Sequence, residues 1–247
     1  MKKIISYSLW GNDPKYCVGA VKNALLRREI YPDWISRFYV HKDVDQKYIN
    51  QLKSIENTEI VIKDEAADWT GMFWRFEAIS DNDVEIMICR DTDSRLSNRE
   101  SLAVNDFENS TMMFHIMRDH PHHNAFVLGG MFGLKKGLID DMKNLCGSFQ
   151  KTNQYGTDYY FFDSIKNKIP AFLIMSHDEF RGGLNFPTKR ENWEFVGEVY
   201  DENNNYAKGH RDTLNERRTY HRFFWIHRIS SFKKNFKLFS MQYFWNR

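Results

Sequence analysis

Proline is scarce in this chain, at 5 of 247 residues, with only 13 glycines and 3 cysteines. So little Pro and Gly, beside 20 Phe, 12 Tyr and 7 Trp, excludes a low-complexity, disordered chain. Cys17, Cys89 and Cys146 are odd in number, far apart and without metal-ligand spacing. They read as reduced thiols in a reducing compartment. No apolar run is long enough to span a bilayer. The basic, then apolar start from Met1 to Ser8 is too short for a signal peptide, so a cytoplasmic location is expected. Internal repeats are also lacking. Acidic residues are missing from one region: Arg217 to Arg247 holds eight Lys/Arg and no Asp or Glu, leaving 27 basic and 33 acidic residues in 1–216. The net charge of +2 therefore hides a body of about −6 carrying a tail of +8.

What is present is a strand–helix alternation. Lys3 to Leu9 reads as a strand, Tyr16 to Ile30 as a helix with Val18, Val21 and Leu25 at helical spacing, and Arg37 to His41 as a second strand. Asp45 to Ile55 reads as a helix, Glu59 to Ile62 as a strand, Thr70 to Ile79 as a helix and Ile86 to Cys89 as a buried strand. Alternation of this kind predicts an α/β fold, a mostly parallel central sheet with crossover helices. Further on, Asn98 to Phe107 reads as a helix, Met112 to Arg118 as another, and Ala125 to Leu128 as a strand. Leu138 to Cys146 and Thr157 to Lys166 are expected helices, Ala171 to Met175 a last core strand and Glu194 to Tyr200 an edge strand. The length suits one domain, 1–210, with a helical appendage, 211–247.

The stretch Glu85 to Leu96 organises the rest. Its apolar run ends in Asp91 and Asp93, spaced i, i+2, which in an extended backbone share one side. Just past the carboxyl end of a strand is where open α/β sheets bind ligands. Two adjacent carboxylates repel, and hard oxygen donors without a nearby Cys favour Mg²⁺ or Mn²⁺. A metal–diphosphate site is the leading expectation. A solvated turn is the simplest alternative. An EF-hand fits poorly, with Leu96 where Gly is needed and Leu102 where Glu is needed. A phosphatase of the haloacid-dehalogenase type, with Asp91 as nucleophile, remains as a second enzymatic reading.

Several further motifs occur in order: Ser6-Tyr7-Ser8-Leu9-Trp10-Gly11, Phe73-Trp74-Arg75-Phe76, Arg90 to Arg95, His115 to Pro121 and Gly129-Gly130-Met131-Phe132-Gly133. Together they resemble nucleotide-diphosphate-sugar glycosyltransferases of the GT-A fold, in the bacterial and large-virus branch related to rhamnosyltransferases. The resemblance spans roughly Lys2 to Tyr200. It implies a single Rossmann-like domain and transfer of a sugar from a nucleoside diphosphate, UDP foremost, to a hydroxyl of a glycan or lipid-linked glycan.

The resemblance also implies roles. Asp91, Asp93 and His177 would ligate the cation, with Asp178 as a substitute or orienting group. Ser6, Tyr7, Trp10 and Arg75 would contact the nucleotide, and Thr92 and Ser94 the ribose or donor sugar. Arg95 would pair with the diphosphate or offset the aspartates. Arg118, Asp119 and His120 would lie near diphosphate and sugar hydroxyls, with His115, Gly129, Gly130 and Met131 around the sugar or acceptor, and His122 and His123 exposed. Asp158 would be the general base of an inverting reaction, or would position the acceptor in a retaining one, towards which the likeness leans.

In the tail, Trp225, Ile229, Phe232, Phe236, Phe239 and Tyr243 recur at steps of four and three, one helical stripe, with Arg228, Lys233, Lys234 and Lys237 off it. Such a helix suits the interface of an anionic membrane; docking on the domain or on a second subunit, as a homodimer, competes. Nucleic acid is not expected, given the acidic body. A non-enzymatic adaptor working through the tail is the contrasting class.

Overall fold

The computed structural model describes residues 1–216; the stripe from Trp225 to Tyr243 and the predicted membrane contact through 217–247 lie outside them. The chain divides into Met1–Tyr206 and Ala207–Arg247, and the described part of the second unit is helical over 208–216. No helix among the described residues is long and apolar enough to cross a membrane.

The first unit is built on seven strands: β1 (Lys2–Leu9), β2 (Ile35–His41), β3 (Thr58–Lys63), β4 (Val84–Cys89), β5 (Phe114–Arg118), β6 (Phe132–Lys135) and β7 (Ile174–Asp178). Their order across the sheet is β3-β2-β1-β4-β6-β5-β7. β6 runs antiparallel to both neighbours and the other pairings are parallel, so the expected α/β, mostly parallel sheet is present. The helices are α1 (Pro14–Ile30), α2 (Gln46–Lys53), α3 (Asn98–Glu108), α4 (Met142–Ser148) and α5 (Thr157–Ile165).

β1 is buried from Ile4 to Leu9 and β4 from Ile86 to Cys89, because the sheet is covered on both faces. Alternate residues then go to two cores. Ile4, Met87, Cys89, Phe114 and Phe132 pack with Phe73, Phe76, Phe161 and Phe162. Ile5, Tyr7, Ile86 and Ile88 pack with Ala20, Ala24, Ile49, Leu52 and Phe107 of α1, α2 and α3. Local signals start three helices: the carboxylates of Asp13 and Asp45 and the Ser97 hydroxyl each accept from a backbone N–H of the first turn, and Pro14 opens α1.

Several expected elements differ. Met112 to Arg118 contains a strand, not a helix; a short apolar run has no decisive period, and pairing with β6 and β7 settles it. Ala125 to Leu128 is not a strand, since the Arg118 guanidinium takes the Ala125 and Phe126 carbonyls (3.2 and 2.7 Å) that a ladder would use. The region 194–200 is turn rather than edge strand, with only Tyr200 bridged, to Tyr206. Trp69–Ser80 is 3₁₀ rather than α, α4 begins at Met142, and β7 begins at Ile174, after a short 3₁₀ turn. On α1 the buried stripe is Cys17, Ala20, Asn23, Ala24 and Arg27, leaving Leu25 exposed. Small residues there let α1 approach the sheet closely.

Candidate active site

The chain lays down β1, β2 and β3 in one direction, then crosses back to place β4 on the other side of β1. The crevice at such a reversal, at the carboxyl ends of the strands, is where open α/β sheets take ligands. Asp91 and Asp93 follow β4 at that point. β5 and β7 run the same way as β4, so their carboxyl ends, and the amino end of β6, share this edge.

The stretch after β4 is a turn and not the extended continuation expected. Both the Ser94 N–H (3.3 Å) and the Ser94 hydroxyl (2.8 Å) donate to the Asp91 carbonyl. Asn23 of α1 clamps it: its amide donates to the carbonyls of Thr92 (3.2 Å) and Ser94 (2.9 Å), and its oxygen accepts from Leu96 N–H (3.1 Å). A Cβ on Gly19 would come closer than 3.0 Å to the Thr92 carbonyl oxygen, so glycine is what lets helix and turn touch. Beneath, Arg90 and Glu100 form a fully buried pair (2.9 Å), with Tyr31 donating to Glu100, tying the end of β4 to α3.

The turn sends its two carboxylates to different partners. Asp91 continues the face of Met87 and Cys89 and accepts from the buried Arg75 guanidinium, which also donates to the Arg90 carbonyl (3.3 Å). Asp93 accepts from Lys15 in the first turn of α1, at 2.7 Å. Asp158 opens α5 and completes the group. A Cβ on Gly129 would collide with its carboxylate, and one on Gly130 with that of Asp91. The glycine pair therefore makes room for two carboxylates. Burial, then the Asp91 charge, hold Asp93 above the usual carboxylate range, against Lys15. Burial and the Asp91 charge do the same to Asp158, against the Arg75 guanidinium and the backbone amides of Asp158 and Gly129.

This donor set fits a hard divalent cation. The Asp91 charge raises the cost of ionising Asp93, and the Asp91 side chain is 48% exposed, open to a ligand. Among the described residues no three His, Cys, Asp or Glu side chains form a metal cluster. One or two carboxylates completed by substrate phosphates is the usual Mg²⁺ arrangement.

His177 is not part of it. β7 is separated from β4 by β6 and β5, the Nδ1 of His177 meets His115 Nε2 (2.8 Å), and its Nε2 faces Asp106 (3.6 Å). His115 is buried against Phe107, not at an acceptor pocket, and burial holds it neutral, well below the ordinary histidine range. Tyr7 points into the α1 side of the core, stacked on Phe38 at 4.6 Å. Ser6 faces the other way, and its hydroxyl donates to the Arg75 carbonyl (2.6 Å), which makes it a support for Arg75. Met131 sits in a small core with Met117, Phe186 and Val196.

Arg118 is engaged by Asp178 (2.6 Å), Ser176 and the two loop carbonyls. Asp119 is wholly buried between Arg99 and Arg190 and accepts from Val196 N–H (2.9 Å). His120 is buried against Phe195, and His123 is half-buried where exposure was expected, whereas His122 is exposed. These residues hold the loop after β5. Thr92 is buried, and Arg95 braces the turn to the 201–204 segment through the Asp201 carbonyl and Asn204. Trp10 is half-buried, edge-on to Trp69 and Trp74 at 6.2 Å each.

Sequence reasoning missed Lys15, Asn23 and a half-buried Tyr159 that feels the charges of Asp158 and Asp91. It also missed Tyr155, 74% exposed and edge-on to Trp69 (5.5 Å). A polar Asn among the small residues of a helix's inner stripe was the one available signal.

No family model matches the chain, and no curated protein does. Among solved structures it is similar to a glycosyltransferase involved in the glycosylation of the major capsid of PBCV-1, at 11% identity over 72% of this chain and 82% of that one, TM-score 0.48. It is also similar to 4-diphosphocytidyl-2C-methyl-D-erythritol synthase from Anaerococcus prevotii, at 12% identity over 74% and 90%, TM-score 0.47. A third is the mannosyltransferase PcManGT from Pyrobaculum calidifontis, in complex with GDP-Man and Mn²⁺, at 11% identity over 74% and 58%, TM-score 0.47. Likenesses this distant leave the functional reading to the geometry of the site.

Proposed function

We propose that this chain is a GT-A-type, metal-dependent glycosyltransferase that moves a sugar from a nucleoside diphosphate, UDP foremost, to a hydroxyl of a glycan or lipid-linked glycan. The observation that carries the reading is the convergence of Asp91, Arg75 and Asp158 at the switch point of the sheet, with Asp93 on the same turn. Asp91 and Asp93 are the residues that would hold Mg²⁺ or Mn²⁺. Bound there, the cation would supply Lewis-acid stabilisation of the departing diphosphate.

The chain's own groups do the rest. Arg75, fixed by Ser6 and by the Arg90 carbonyl, orients Asp91 and offsets the negative charge around it. In an inverting reaction, Asp158 accepts the acceptor's hydroxyl proton as that oxygen bonds to the anomeric carbon and the sugar–phosphate bond breaks, the electron pair leaving with the nucleoside diphosphate. A raised affinity for protons suits Asp158 to that task. In a retaining reaction the same carboxylate stabilises positive charge at the anomeric carbon.

A thermal-shift screen of nucleotide sugars with and without Mn²⁺ tests the class: a Mn²⁺-dependent rise with one nucleotide family is expected. Asp93→Ala is expected to lower turnover by about a hundredfold or more, as for other charge-stabilising groups. Unchanged turnover would remove the metal role. A phosphatase would instead turn over phosphate esters through an aspartyl-phosphate on Asp91.

A further inference from the structure

The two carboxylates at the switch point already carry cations, and the two cations are held differently. The Arg75 side chain is 6% exposed and also bonded to the Arg90 carbonyl. Lys15 is 30% exposed, reaches Asp93 Oδ2 at 2.7 Å, and otherwise rests on the face of the Tyr16 ring at 4.8 Å. An ammonium on a four-carbon stem with three rotatable donors can change partner, whereas a guanidinium locked at both ends cannot. A cation taking Asp93 as ligand needs a carboxylate oxygen at about 2.0–2.1 Å. Lys15 holds one of those oxygens, and two cations sharing one carboxylate repel each other.

We propose that Lys15 is a resident counter-cation, which a divalent metal ion displaces from Asp93 and which then pairs with the anionic diphosphate. The proposal rests on Asp91 and Asp93 being the metal site. Its consequence is coupling. The metal frees a cation for the diphosphate, the diphosphate retains that cation away from Asp93, and each ligand therefore tightens the binding of the other by the same factor. In the ligand-free protein the same lysine neutralises Asp93 and weakens metal binding. The metal thus binds more tightly when the diphosphate is there to receive Lys15.

The test measures Mn²⁺ affinity by calorimetry or by electron paramagnetic resonance of free Mn²⁺, with and without UDP, for the parent protein, Lys15→Met, Lys15→Arg and Asp93→Ala. Thermal unfolding confirms that each variant is folded. Without UDP, Lys15→Met is expected to bind Mn²⁺ about 1.5-fold to fivefold tighter than the parent, the range spanned by a partly exposed ion pair. Because the UDP phosphates also complete the cation's shell, UDP is expected to tighten Mn²⁺ binding in the parent and in both Lys15 variants, by a factor a few-fold smaller in Lys15→Met than in the parent and by an intermediate or full factor in Lys15→Arg. Equal or weaker Mn²⁺ binding by Lys15→Met, with binding abolished in Asp93→Ala, would overturn the role of Lys15 and leave the metal site standing. Mn²⁺ binding unaffected by Asp93→Ala, or absent from every protein, would overturn both.

Discussion

Gly19→Ala separates what helix propensity favours from what packing permits. In the interior of α1, replacing Gly by Ala should by itself stabilise the helix by about 1 kcal/mol. The added Cβ, however, comes within 3.0 Å of the Thr92 carbonyl oxygen, and that oxygen is backbone, held by the Asn23 amide. It cannot rotate away as a side chain would. Either α1 lifts or the turn slides, at an overpacking cost of about 1–3 kcal/mol. Whichever moves stretches the Asn23 bonds, each contributing about 1 kcal/mol net. Taking about 2 for the clash and 1 for one lost bond, less 1 for propensity, leaves about 2 kcal/mol of destabilisation. For a protein of this size that lowers Tm by about 4–8 °C. Urea unfolding gives the energy and calorimetry the Tm. The moved turn carries Asp91 and Asp93, so Mn²⁺ affinity should fall with it. A variant as stable as the parent, or more so, would refute the claim that contact between α1 and the turn positions the carboxylates.

Two further outcomes follow from buried charges. Glu100→Leu strips from Arg90, which is 1% exposed, its only carboxylate partner among the described residues, and should cost about 3–5 kcal/mol in denaturant unfolding; adding Arg90→Met should recover most of it. Asp158→Asn should abolish sugar transfer while raising Tm at neutral pH. The folded Asp158 binds its proton more tightly than the unfolded chain does, so its ionisation subtracts stability as pH rises from the unfolded carboxylate value through the folded one. The gain in Asp158→Asn should therefore be full above the folded pKa and vanish below the unfolded value of about 3.9. A gain that persists in acid would point to another cause.

Much of the framework was legible because its signals are local. Apolar runs in β1, β2 and β4 mark strands buried on both faces, and Asp13-Pro14, Asp45 and Ser97 announce α1, α2 and α3 through the backbone donors they satisfy. The change from apolar to acidic at Asp91 marks the end of β4 and the centre of the site. The segments from β5 onward were harder to read. Phe114 to Arg118 is as apolar as a helix turn, and its identity depends on neighbours far away in the chain.

Placing side chains around the carboxylates was harder still. His177 and Met131 looked available in the sequence, but β7 stands three places from β4 and Met131 turns into a core. Ser6 and Tyr7 are adjacent, so the period of two guarantees opposite faces; which face meets Arg75 depends on where the 3₁₀ segment packs. Lys15 and Asn23 acquire meaning only when α1 lies against the turn, about seventy residues away in the chain for Asn23. The amino-acid order by itself determined the elements, their caps and the position of the acidic turn, because these follow from backbone satisfaction and periodic burial within a few residues. Only the tertiary structure decided which cation each aspartate meets and which histidine does not reach the site, because strand order sets distances that no spacing along the chain encodes.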